Sequence, residues 1–195
     1  GHDFIENADE RYEFYNREED KIAFDLEYFN LITDGGLPNK TLNVIMAPTG
    51  AGKSLFMCHF AAANLLAGKN VLYITMEMAE ERIAQRIDSN ILNIPIAELK
   101  GFPKKIYDDK INRLRLKTGG KLIVKEYPTA TAGSGHFRHL LNELKLKKKF
   151  KPDIIYIDYL NICASARLKF GANVNSYSYI KAIAEELRGL AVEAN

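Results

Sequence analysis

Apolar residues recur along this chain in two rhythms. Short, continuous apolar runs at residues 41–47, 71–76, 122–125 and 154–158 read as strands buried on both faces. Longer stretches between them carry helical spacing. Residues 53–67 predict a helix ended by Gly68 and apolar almost all round (Leu55, Phe56, Met57, Phe60, Leu65, Leu66), hence buried on most sides. Residues 79–92 predict an amphipathic helix with Ile83, Ile87 and Ile91 on one face, and residues 104–117 a basic helix closed by Gly119-Gly120. Ser134 is placed as the cap of a helix with Phe137, Leu140, Leu141 and Leu144 inward, and Val174, Tyr177, Ile180, Ala184, Leu187 and Ala191 mark a last helix.

Strands that alternate with helices predict an α/β fold, a mainly parallel sheet with helices on both faces. Ahead of it, residues 3–30 are acidic and rich in aromatics without a strand pattern. They read as an arm over residues 1–24 and a short helix over 25–33 that Gly35-Gly36 terminates, with the α/β domain running from 25 to 195. A right-handed strand–helix–strand unit delivers its helix to another strand, so the helix at the end of the sequence predicts a domain truncated on its C-terminal side.

Composition narrows the class. A chain of 195 residues with 47% hydrophobic and 27% charged residues has enough apolar matter for a folded core. Its apolar stretches fall short of the ~20 residues that span a bilayer, and no charged-then-apolar leader opens it, so the expectation is a cytoplasmic protein without membrane partners. Cys58 and Cys163 are too few and too distant for a disulfide scaffold, and Gly1-His2 resembles a tag remnant. The net charge of +2 conceals segregation: residues 1–30 sum to −7 and residues 100–151 to +11. Such asymmetry marks a polyanion-binding face, oppositely charged ends that meet in an assembly, or solvated helix faces.

The sharpest chemical signal is Ala47-Pro48-Thr49-Gly50-Ala51-Gly52-Lys53-Ser54, set between an apolar run and a long helix. Small residues let backbone N–H groups curl around a β-phosphate, a helix N-terminus points at it, a lysine reaches the β- and γ-phosphates, and a hydroxyl holds Mg²⁺. Alanine stands where the usual pattern opens with glycine, and it fits with a negative φ. The implied cofactors are ATP, or another nucleoside triphosphate, and Mg²⁺. Asp158 closes an apolar strand at the edge where open parallel sheets bind ligands, which makes it the candidate to orient the metal through water. Glu77 leaves the sheet at the same edge and is the candidate general base, with a helix-entry role for it as the alternative.

Other residues carry less. His136 and His139 sit three apart on a helix with no further ligand at metal spacing, and Cys58 and His59 are most simply core residues. Lys145, Lys147, Lys148, Lys149 and Lys151 precede the Asp158 strand, away from the nucleotide edge, and read as a solvated helix end. Arg167 and Lys169 follow Asp158 among small polar residues, a better place to touch a polyanion.

Taken together, Asp25-Leu26, Gly35-Gly36-Leu37, the phosphate loop, the run Val71 to Met78 with Arg86 behind it, and Ile157-Asp158-Tyr159-Leu160 resemble the RecA-type motor domain of DnaB-family replicative helicases. The wording is nearest to the T4-like phage branch, alanine included. The resemblance implies a RecA-like P-loop NTPase core and a homohexameric ring that hydrolyses ATP between subunits and translocates on single-stranded DNA. It also implies primase and loader partners, an acidic arm that packs on a neighbouring subunit, and a phage protein's place in the host cytoplasm. It assigns Lys53 and Ser54 to phosphate and Mg²⁺, Asp158 to the metal and Glu77 to hydrolysis. A RecA-like recombinase or clock-type ring ATPase shares these residues without unwinding. A small-molecule kinase of the same loop class requires a lid segment that the sequence lacks.

Overall fold

The computed structural model describes residues 1–17, 19–169 and 174–194. It opens with α1 (Ala8–Tyr15), an acidic helix with no buried residue. A two-stranded antiparallel ribbon, β1 (Lys21–Ile22) with β2 (Leu37–Pro38), brackets α2 (Glu27–Ile32). Then come α3 (Lys53–Leu66), β3 (Val71–Thr75), α4 (Glu80–Leu92), α5 (Ile96–Leu99), α6 (Lys104–Lys117) and β4 (Leu122–Glu126). The chain continues through α7 (Ser134–Lys148), β5 (Ile154–Asp158), a 3₁₀ turn (Leu160–Ile162) and α8 (Ser176–Ala194).

The main sheet has the order β4-β3-β5 with all strands parallel. Successive side chains of β3 point to opposite faces, so it feeds two cores. Val71 and Tyr73 pack with Met57, Cys58 and Ala61 of α3 and with Ile83 and Ile87 of α4. Leu72 and Ile74 pack on the other side with Phe137 and Leu140 of α7 and with Ile183 and Leu187 of α8. Every residue of β3 is buried, which is why its apolar run is unbroken. At the N-terminal edge Asn70 holds the three strands level. Its N–H donates to Asp153 Oδ2 at 2.7 Å, its carbonyl accepts from Asp153 N at 2.8 Å, and its Oδ1 accepts from Lys121 N at 3.1 Å.

The expected helices and three of the four strands are present; His59, expected in the core, is partly exposed and pairs with Asp25 Oδ2 at 2.7 Å, and three expectations about the elements need correction. Residues 41–47 form no strand. Val44, Ile45 and Met46 are exposed, only Leu42 packs on the core, and no described strand offers the segment a ladder, without which an apolar run does not become a strand. Second, α3 is not covered all round: Leu55 and Leu66 are half exposed. Its covered aromatic face meets the end of the arm and α2, with Phe24 edge-on to Phe60 at 4.9 Å and Phe29 of α2 edge-on to Phe56 at 5.6 Å. Third, Gly133 and not Ser134 occupies the N-cap of α7, because the Ser134 hydroxyl is buried and donates to Glu186.

Candidate nucleotide site

The loop from Ala47 to Ala51 is exposed at the start of α3, and Ala51 N donates to Pro48 O at 3.2 Å to close its turn. Gly50 has φ 80° and Gly52 has φ 97°, left-handed values that suit glycine, and a Cβ at either position would point into open space. Gly52 is the N-cap of α3, no side chain caps that helix, and its first turn holds no acidic residue. The first N–H groups of α3 are therefore available to an anion, and the helix dipole favours one there. Lys53 Nζ donates to Ala47 O at 3.3 Å and lies 5.7 Å from the centre of the Tyr159 ring, so its ammonium hangs over the loop beside the residue that follows Asp158.

Asp158 ends β5, 1% exposed. Its Oδ2 accepts from the Tyr73 hydroxyl at 3.0 Å, and that hydroxyl is approached by Cys58 Sγ at 3.9 Å. Burial, reinforced by Cys58 and Asp158, pushes the Tyr73 phenol well above its ordinary 10.0, so it stays a proton donor. Burial likewise raises the Cys58 thiol above 9.0, which keeps it protonated. Asp158 Oδ1 is buried and has no hydrogen-bond partner among the described residues. Such an unsatisfied carboxylate oxygen suits a metal ion or a metal-bound water, and Ser54 can add a hydroxyl. Ser54 lies one turn before Cys58 and so shares the α3 face that meets Tyr73. No group of three or more His, Cys, Asp or Glu among the described residues is arranged to hold a metal by itself. The donor set thus fits Mg²⁺ that arrives with phosphates and keeps several waters.

Glu77 is exposed, two residues beyond Thr75. The Thr75 hydroxyl donates to Met78 O at 2.8 Å and accepts from Met78 N at 3.1 Å, which folds the turn that carries Glu77. The alternative helix-entry role falls to other residues, since α4 starts after Ala79 with Glu80 and Glu81 in its first turn. Tyr73 and Thr75 escaped the sequence reading. Their signal was polar atoms in an otherwise apolar buried strand, where each must find a partner.

Arg167 and Lys169 are exposed on the loop after β5, and Arg167 Nη1 pairs with Glu185 Oε2 at 3.0 Å. A buried carboxylate supports that loop. Glu186 accepts from Ser134 Oγ at 3.0 Å, Ser165 Oγ at 2.6 Å and Ala166 N at 3.0 Å. Burial opposes ionisation of Glu186, but the bonds from Ser165, Ala166, Ser134 and Arg167 outweigh it and hold its pKa below 4.5. A cavity of about 430 Å³ lies beside it, lined by Tyr127, Ser134, His136, His139 and Ser165, while His136 and His139 themselves are surface residues. Lys145, Lys147, Lys148, Lys149 and Lys151 are exposed at the end of α7, at the opposite sheet edge from Asp158.

Known proteins share this architecture. The family model described as DnaB-like helicase C terminal domain matches residues 22–195. The chain is 49% identical over 196 residues to the "DnaB-like replicative helicase" of Enterobacteria phage T4, covering 99% of this chain and 41% of that relative. It therefore spans well under half of the relative's length. A solved structure described as "The Structure Of A DnaB-Like Replicative Helicase And Its Interactions With Primase" superposes with a TM-score of 0.70 at 17% identity, over 99% of this chain and 46% of that one. A second solved structure, described as an ATPase domain, gives the same TM-score of 0.70 and 17% identity, with 68% of its own chain covered. At that identity the two structures speak for the fold, which is that of DnaB-like RecA-type ATPase domains.

Proposed function

The chain belongs to the DnaB-like helicase C-terminal domain family, and on that premise we propose that it is the nucleotide-cradling part of an ATP-driven replicative DNA helicase. The observation that carries the reading is the convergence of an uncapped α3 N-terminus with its glycine loop and a buried aspartate with one unspent oxygen. In this reading the N–H groups of residues 50–54 take the phosphates, and Lys53 turns from Ala47 O to the β- and γ-phosphates. Ser54 and Asp158 would hold Mg²⁺. Bound there, the metal neutralises charge that develops on the phosphoryl oxygens. Glu77, exposed at the end of β3, accepts a proton from the attacking water.

The family setting supports a homohexamer that travels along single-stranded DNA, with primase and a loader as partners, in the host cytoplasm for a phage-encoded protein. No helix among the described residues is long and apolar enough to cross a membrane. Arg167 and Lys169 are the DNA contacts proposed within this chain. The test is unwinding of a forked duplex by the intact protein that contains this sequence, with Lys53→Ala as control. ATP-dependent, single-polarity unwinding that Lys53→Ala abolishes is expected. Filament or ring formation with ATP turnover but no unwinding overturns the reading in favour of a non-unwinding RecA-like ATPase.

A further inference from the structure

The geometry points to Tyr73 as a positioning residue for the metal: its hydroxyl fixes one oxygen of Asp158 so that the other is presented to Mg²⁺. This rests on the proposed role of Asp158 as the metal carboxylate.

The sheet register makes the arrangement possible. Thr75 is the partner of Asp158, so Tyr73, two residues earlier on the neighbouring strand, lies on the diagonal from Asp158, a span that a long aromatic side chain bridges. Its hydroxyl reaches Oδ2 at 3.0 Å, and both residues are almost wholly buried. The ring itself is fixed. Tyr73 stacks on its register partner Tyr156 with centroids 5.9 Å apart and planes 22° from parallel, and the Tyr156 hydroxyl accepts from Asn64 Nδ2 at 2.7 Å. From α3, Cys58 Sγ is placed to donate to the Tyr73 oxygen, which leaves the phenol proton for Asp158. The two carboxylate oxygens thus receive different treatment: Oδ2 holds a donor, and Oδ1 holds none among the described residues. A carboxylate with one oxygen tied is also held against rotation, so the free oxygen keeps one direction. Hydrogen-bond partners of this kind behind a metal ligand set its orientation and basicity.

Phenylalanine keeps the ring and removes only the tether. In the intact protein containing this sequence, Mn²⁺ affinity at saturating ADP, read from the electron paramagnetic resonance of free Mn²⁺, is expected to fall roughly 10- to 100-fold in Tyr73→Phe. Metal-free ADP affinity should stay unchanged. Tyr107→Phe, which removes a comparable hydroxyl–carboxylate bond to Asp88 between α6 and α4, should leave Mn²⁺ affinity unchanged, and Asp158→Asn should abolish the tight site. If Asp158→Asn binds Mn²⁺ normally, the metal role of Asp158 falls and this inference with it. If Asp158→Asn loses Mn²⁺ while Tyr73→Phe keeps it, or if Tyr107→Phe loses as much as Tyr73→Phe, the positioning role alone is overturned. Should Tyr73→Phe fail to fold, 3-fluorotyrosine at position 73 provides the readout. Its ¹⁹F resonance should move when Mg²⁺ is added to the ADP complex, and a stationary resonance refutes the inference.

Discussion

Thr75 and Asp158 are register partners at the ends of β3 and β5, and the pairing runs one residue further, with Met76 N donating to Asp158 O at 2.9 Å. Two carboxylates therefore stand at the C-terminal edge of neighbouring strands, Asp158 buried at the end of β5 and Glu77 exposed two residues beyond β3. Their surroundings separate their chemistry. Asp158, held by Tyr73, is suited to a metal, and Glu77, on a turn shaped by Thr75, is suited to water.

Glu77→Gln is accordingly expected to keep Mg²⁺-nucleotide affinity within about twofold while hydrolysis drops roughly 10²- to 10⁴-fold, the usual scale for a lost general base. Nucleotide fluorescence titration and phosphate release on the same samples separate the two effects. Hydrolysis near the unmodified rate removes Glu77 from the reaction.

Core and surface apolar residues of the two helices packed on one sheet face should respond differently. Ile83 is 0% exposed between α4 and the sheet, so Ile83→Ala should cost about 2–5 kcal/mol in urea unfolding. Leu66, on α3 but 50% exposed, should change stability by roughly 0.5 kcal/mol or less as Leu66→Ala. Equal costs at the two positions would mean that α3 is covered by something on its outer side.

The same contrast marks how far the sequence could be read. Residues 71–75 were legible because a strand buried on both faces must be continuously apolar, residues 154–158 because their apolar run is unbroken up to Asp158 although the strand is only partly buried, and the phosphate loop because its chemistry is local to eight residues. Residues 41–47 looked like a strand on the same ground, but strand formation needs a partner edge, which no single segment encodes. The Tyr73–Asp158 bond joins residues 85 apart and depends on register, and Ser134 passes for a cap until Glu186, 52 residues on, claims its hydroxyl. Local rules place elements, whereas buried polar pairs are set by tertiary contact.

Glu186 gives a pH dependence with a definite sign. Its pKa in the folded chain lies below the ordinary 4.5, so its stabilising contribution is complete above that value and is lost as pH falls through the lowered folded value. Thermal unfolding should therefore show Glu186→Gln less stable than the unmodified chain near neutrality, with the difference closing as pH drops below 4.5. A gap that stays constant down to acid pH would assign the loss to packing and not to the ionised carboxylate.

At Arg167 the present partner and the proposed one compete. The Arg167–Glu185 pair is exposed, 58% and 50% at the side chains, so solvent screens it and its loss should hardly affect folding stability. A DNA phosphate can accept from the guanidinium in two places where Glu185 accepts from Nη1 alone, and it adds release of a counterion, which favours the phosphate at low salt. Arg167→Ala in the intact protein should then weaken single-stranded DNA binding across sequences alike and reduce the slope of log affinity against log salt by about 0.7, the share of one phosphate contact. Glu185→Gln should strengthen binding, since it frees the arginine. Lys169→Ala should lower the slope by a similar step. An unchanged slope in both Arg167→Ala and Lys169→Ala would place the DNA path elsewhere and leave the Arg167–Glu185 pair as a surface contact of this loop.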